Sequence, residues 1–220
     1  MCLRTILTTK IEGTDYLYRA AVAARVERSD SLGVHLNLGS QLLGPAFAFA
    51  SNYISDPQNI TSADVSWNYI DQKGACSFAH CMKHMSSLRR LDVSNNAMQS
   101  EVAELMSHGI VYATTLTELN LAGNKLCAEG FDHLSAALFA LTRLEVLDLS
   151  DNDLCVTLAT ADAVRDYEDT TASQDPPPLS DVGIANVGSV LERSSSLREL
   201  VLSGNMLGPS GMQVCFYPLV

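Results

Sequence analysis

The chain has 220 residues, 47% hydrophobic and 18% charged, which suits one continuous core and excludes a disordered chain. Its 25 acidic residues outnumber 14 Lys and Arg, giving a formal charge of -11 that disfavours nucleic acid and suits a protein partner with a basic surface. No apolar run is long enough to span a bilayer, and Arg4 interrupts the short apolar start where a signal peptide would need a longer stretch. The expectation is a cytoplasmic protein, with nuclear or ciliary placement as alternatives, no membrane association, and six cysteines held as reduced thiols.

In chain order, Leu3, Ile6 and Ile11 are spaced like a worn strand. Asp15 to Arg28 reads as a helix with Leu17, Ala20, Ala21 and Ala24 apolar, so residues 1–31 are expected to form a degenerate first repeat or cap. Leu32, Leu36, Leu38, Leu43, Gly44 and Pro45 then mirror Leu197, Leu200, Leu202, Leu207, Gly208 and Pro209 with one residue extra, as a distorted unit would.

From Ile60 a pattern becomes regular. Ile60, Ala63, Val65, Asn68 and Ile70 are followed, 28 residues on, by Leu88, Leu91, Val93, Asn96 and Met98. The same spacing returns at Leu116, Leu119, Leu121, Asn124 and Leu126, and again at Leu144, Leu147, Leu149, Asn152 and Leu154. Between these stretches lie helical stripes: Gly74, Phe78, Met82 and Met85; then Val102, Met106, Ile110 and Ala113; then Gly130, Leu134, Leu138 and Leu141. An acidic insertion at about 156–180 follows, ending in three prolines and containing Tyr167, Thr170 and Thr171 as candidate phosphorylation sites. Gly183, Val187 and Leu191 restore the helix, and Leu197, Leu200, Leu202, Asn205 and Leu207 the strand, so the step from Leu144 to Leu197 is 53 residues, one period plus 25. A last helix is expected to start after Gly211, with Pro218 ending it and Phe216, Tyr217 and Leu219 either capping the core or marking the edge of a longer array.

Each Leu-x-Leu is a short strand with one buried face, and each stripe is one side of a helix. Neither can hide its apolar side alone, so the units must stack. The ninth-position Asn turns the chain, and its amide is suited to satisfy backbone groups of its own turn and the neighbouring one.

These residues resemble the leucine-rich-repeat family. The 28-residue period with a full helix resembles the ribonuclease-inhibitor-like subtype, as in NOD-like receptors and the Ran GTPase-activating protein. The resemblance covers Ile60 to about Cys215. It implies an α/β solenoid, a right-handed horseshoe with a parallel concave sheet and convex helices, with about six units across residues 32–220. It also implies a protein-interaction module that binds its partner through the concave face and the rim insertion, with a GTPase-activating regulator or a structural part of a cytoskeletal or ciliary assembly as alternatives.

In such an architecture the strand residues flanking the buried leucines face the concave side. They form three columns: Ser62, Arg90, Glu118, Val146 and Glu199; Asp64, Asp92, Asn120, Asp148 and Val201; Ser66, Ser94, Ala122, Ser150 and Ser203. The candidate protein-binding residues are Asp64, Ser66, Trp67, Arg90, Asp92, Ser94, Glu118, Asn120, Asp148, Ser150 and Glu199. The acidic column awaits a basic partner on one reading and is ordinary solvated surface, balanced by Arg90, on the other. Trp67, the sole tryptophan, is either a rim anchor or covered by the irregular first unit. Cys76, His80, Cys81 and His84 contain ligand types for zinc, but one helix cannot wrap them around an ion. Without a phosphate loop, a nucleophile elbow or a paired carboxylate site, neither an enzyme nor a cofactor or metal is expected.

Overall fold

The computed structural model describes residues 33–160 and 181–207, together with the backbone of 26–29. Its strands are β1 (Val26–Ser29), β2 (Gly33–Asn37), β3 (Ile60–Asp64), β4 (Arg90–Asp92), β5 (Glu118–Asn120), β6 (Val146–Asp148) and β7 (Glu199–Val201). Between them lie α1 (Phe47–Asn52), α2 (Gln72–Met82), α3 (Ser100–Ile110), α4 (Cys127–Leu138) and α5 (Val182–Arg193). Strand order in the sheet equals chain order. β2 to β7 are parallel, and β1 pairs antiparallel with β2.

Register follows the repeat. Leu91 lies opposite Leu119, Leu119 opposite Leu147, and Leu147 opposite Leu200. Behind this row Phe78, Met82, Met85, Met106, Ile110, Leu134 and Leu138 are buried in the same core. Phe47 of the short α1 meets Phe78 edge-on at 5.6 Å, continuing the core into the first unit. Neighbouring strands sit about 4.8 Å apart while packed helices need roughly 8–10 Å, so stacking two unequal layers bends the solenoid with the sheet inside.

The ninth-position asparagines form a buried ladder. Asn124 Nδ2 donates to the carbonyls of Val93 at 3.1 Å and Leu121 at 2.8 Å, while its Oδ1 accepts from the amides of Asn96 at 2.9 Å and Met98 at 3.4 Å. Asn68, Asn96, Asn152 and Asn205 repeat the arrangement, all at most 1% exposed. Around this residue the backbone is left-handed at the eighth position (Trp67, Asn95, Gly123, Asp151, Gly204) and the tenth (Tyr69, Ala97, Lys125, Asp153, Met206). Gly, Asn and Asp tolerate that geometry; a large aromatic side chain does so at a cost of roughly 1–2 kcal/mol.

The structure corrects the N-terminal reading. The helix expected over Asp15–Arg28 does not extend through its last residues, because Val26–Ser29 form β1 against β2, with Val26 opposite Leu36 and Ser29 opposite Gly33. An added antiparallel strand occupies the hydrogen-bonding edge that β2 would otherwise leave open. The rest of that helix, the strand at Leu3, Ile6 and Ile11, insertion residues 161–180 and the expected C-terminal helix lie outside the described residues. The irregularity in the first unit takes the form of a bulge: Val34 pairs with Ile60 and His35 with Ser62, skipping Thr61. Stripe residues Val102 and Leu191 are only partly buried, as are Leu197, Leu200, Leu202 and Leu207 of the last unit.

Among the described residues, no helix is long and apolar enough to cross a membrane.

Candidate functional site

Three-residue strands leave little room for variation: in β4 and β5 the first residue is exposed, the second buried and the third half-buried. The parallel register therefore brings the columns together. Ser62, Arg90, Glu118, Val146 and Glu199 stand side by side, as do Asp64, Asp92, Asn120, Asp148 and Val201. Asp64, Asp92, Asn120 and Asp148, with Arg90, Glu118 and Val146, line a trough of about 400 Å³ on the sheet face.

The acidic column is tied into the backbone. Asp64 Oδ1 accepts from the Ser66 amide at 3.0 Å and the Ser66 hydroxyl at 2.7 Å. Asp148 Oδ1 accepts from the Ser150 amide at 2.9 Å and hydroxyl at 2.6 Å. Asp92 Oδ1 accepts from the Ser94 amide at 2.9 Å, and Asn120 Oδ1 from the Ala122 amide at 3.0 Å. The fifth-position side chain thus closes a small turn that ends each strand. Asn120 also donates to Asp92 Oδ2 at 3.2 Å, so an amide stands between two carboxylates and relieves their repulsion. The second oxygen of Asp64 and of Asp148 has no hydrogen-bond partner among the described residues.

Ser66, Ser94 and Ser150 prove to be buried, so these three candidates support the turn and present little surface. Arg90 turns toward Glu118, at 3.9 Å, with both side chains about half exposed, and not toward the aspartates. Such a pair contributes little to stability. Glu199 is exposed at the first residue of β7. Trp67 is 49% exposed at the strand-end rim, with Tyr69 at 57% and Leu42 at 42% nearby in the repeat. The Asp-x-Ser spacing was a readable sign of the turn; the exposed pair Trp67 and Tyr69, both in left-handed backbone, had no such sign.

On the helix side, Cys76 is exposed, Cys81 is buried, and His80 and His84 stack edge to face at 5.6 Å. No metal-competent group of His, Cys, Asp and Glu occurs among the described residues. Burial pushes the Cys81 thiol up to about 11, which keeps it protonated and unreactive near neutrality. Cys127 and Cys155, at equivalent places in adjacent units, are buried thiols.

Helices on one face, a parallel sheet on the other and a buried asparagine per turn define an α/β leucine-rich-repeat solenoid. The family model described as Leucine Rich repeat matches residues 84–106, 112–131 and 193–214, the units built on β4, β5 and β7. Among solved structures, the chain is similar to Leiomodin-1 Actin-Binding Site 2 (ABS2), with 14% identity and a TM-score of 0.55 over 79% of this chain and 84% of that one. At that identity the likeness concerns the fold. No curated protein matches the chain.

Proposed function

We propose that this chain is a protein-interaction module that holds a basic segment of its partner on the sheet face, with Trp67 anchoring at the rim. The observation that carries the reading is the row Asp64, Asp92 and Asp148 along an open trough, in which Asp64 and Asp148 each keep one carboxylate oxygen without a hydrogen-bond partner among the described residues. A Lys or Arg side chain laid across the strands would meet those oxygens, and the overall charge of -11 would draw it in. Half-exposed Trp67 and Tyr69, held in a backbone conformation unfavourable to them, offer apolar area beside the charges. The solved neighbour is an actin-binding site of its own protein; for this chain it adds weight to a protein as the partner without naming which.

Asn120 shows how to test the row without breaking the turn, because an amide supplies the same Oδ1. The double variant Asp64→Asn, Asp148→Asn, which leaves Asp92 to accept from Asn120, is expected to fold normally and to bind its partner at least about tenfold more weakly at low salt. Quantitative affinity capture from extract, parent against variant, reads this out. An unchanged set of captured proteins would move the site off the sheet face. A GTP-hydrolysis assay separates the alternative of a GTPase-activating regulator: stimulation of turnover would displace the binding reading.

A further inference from the structure

A second groove, of about 600 Å³, opens where the strands begin. Among the described residues it is lined by Gly33, Thr61, Ser86, Ser87, Arg89, Thr115, Thr117 and Arg143, two arginines and no acid, in a chain that is strongly acidic overall. We propose that this groove binds a phosphate monoester dianion.

Three observations support it. First, neither arginine is neutralised by another of the described residues. The ion pairs of this region are Arg90 with Glu118 at 3.9 Å and Arg198 with Glu145 at 3.8 Å, while Arg89 and Arg143 have no carboxylate partner among the described residues. Arg89 and Arg143 belong to units two strand spacings apart, roughly 10 Å along the sheet, so both guanidinium groups can close on one tetrahedral ion.

Second, the floor offers unused donors. Each unit makes a tight turn just before its first leucine: the Leu88 amide donates to the Met85 carbonyl, Leu116 to Ala113 and Leu144 to Leu141. The amide one residue earlier, on Ser87, Thr115 and Arg143, has no acceptor among the described residues, and the repeat stacks these three amides in a row along the groove. The hydroxyls of Ser86 and Ser87 are likewise without partners.

Third, several backbone carbonyls around the groove already accept hydrogen bonds. Thr115 Oγ1 donates to the Leu88 carbonyl at 2.7 Å and Thr117 Oγ1 to the Arg89 carbonyl at 3.1 Å, and the Arg89 carbonyl also takes the amides of Thr117 and Glu118. Two guanidinium forks and a row of amides exceed what the two oxygens of a carboxylate can use. The three terminal oxygens of a phosphate monoester match them.

The experiment is a titration of the full chain, followed by amide and arginine side-chain NMR, with a phosphoserine peptide, glycerol 3-phosphate and acetate. Both phosphate esters are expected to shift Ser87, Thr115 and Arg143, and the double variant Arg89→Gln, Arg143→Gln to weaken the response at least tenfold while Arg193→Gln leaves it intact. Arg89→Lys, which keeps the charge and loses the fork, is expected to fall between, and it serves if the double variant fails to fold. The two ester arms identify the source: tighter binding of the peptide indicates a phosphorylated protein, and tighter binding of the small ester a metabolite. No shift with either ester, an equal response to acetate, or a response that survives in the double variant would overturn the proposal.

Discussion

Two steps of the solenoid do the same job with different lengths of chain. From β5 to β6 the Asn124 amide reaches Asn152 Oδ1 at 3.1 Å across 28 residues; from β6 to β7 the Asn152 amide reaches Asn205 Oδ1 at 3.0 Å across 53. The register is also identical, with Val146 opposite Glu199 and Leu147 opposite Leu200. The insertion therefore leaves no mark on the sheet. What fixes the repeat is the strand and its asparagine turn, and the return path through the helix side tolerates an addition.

The largest expected effect breaks the regular step. Asn124→Ala strands the amides of Asn96 and Met98 and the carbonyls of Val93 and Leu121 in a dry interior, and should cost about 3 kcal/mol or more of unfolding free energy in a denaturant titration. Asn205→Ala, at the far side of the interrupted step, should cost less, because its own turn is only part-buried. Equal losses would mean that the ladder is not limited by burial.

An intermediate effect sharpens the comparison on the helix side. Gly130 and Gly183 hold the same place in the repeat. A Cβ at Gly130 would stand 3.3 Å from Ser100 Cα, whereas at Gly183 it would fall 2.0 Å from the Leu154 carbonyl oxygen. Gly183→Ala should thus lower stability by about 1–3 kcal/mol in the same titration and Gly130→Ala by clearly less. The smallest effect is expected from removing 161–180 and joining 160 to 181 through a short Gly-Ser link. The shift should stay within about 1 kcal/mol, since the units before and after the insertion already pair with each other in register. A loss as large as that of Asn124→Ala would show that the insertion holds the last unit in place.

Much of this was legible beforehand because the signals were periodic. Leu91, Leu119, Leu147 and Leu200 announce their alignment by spacing, and Asn68 to Asn205 announce the ladder by residue type. Non-periodic features were not legible. Val26–Ser29 carries no sign that it pairs antiparallel with β2, since four residues reveal a partner only in three dimensions. The serines of the candidate face were placed on its surface because alternation alone puts them there; the turn made by Asp64 and Asp148 folds them inward. The pairing of Arg89 with Arg143 was not legible either, because they sit at unlike positions in units brought near each other only by stacking.

The asparagine ladder has a direction. The turn amides of each unit are completed by the oxygen of the next unit toward the C-terminus, as Asn152 and Leu154 are by Asn205. On a ribosome, where the N-terminal side emerges first, an ordinary unit waits for 28 further residues and the unit at Asn152 for 53. At cellular synthesis rates of about 5–20 residues per second the longer wait lasts roughly 3–10 s. Among the described turns, the one preceding the insertion therefore stays incomplete longest during synthesis.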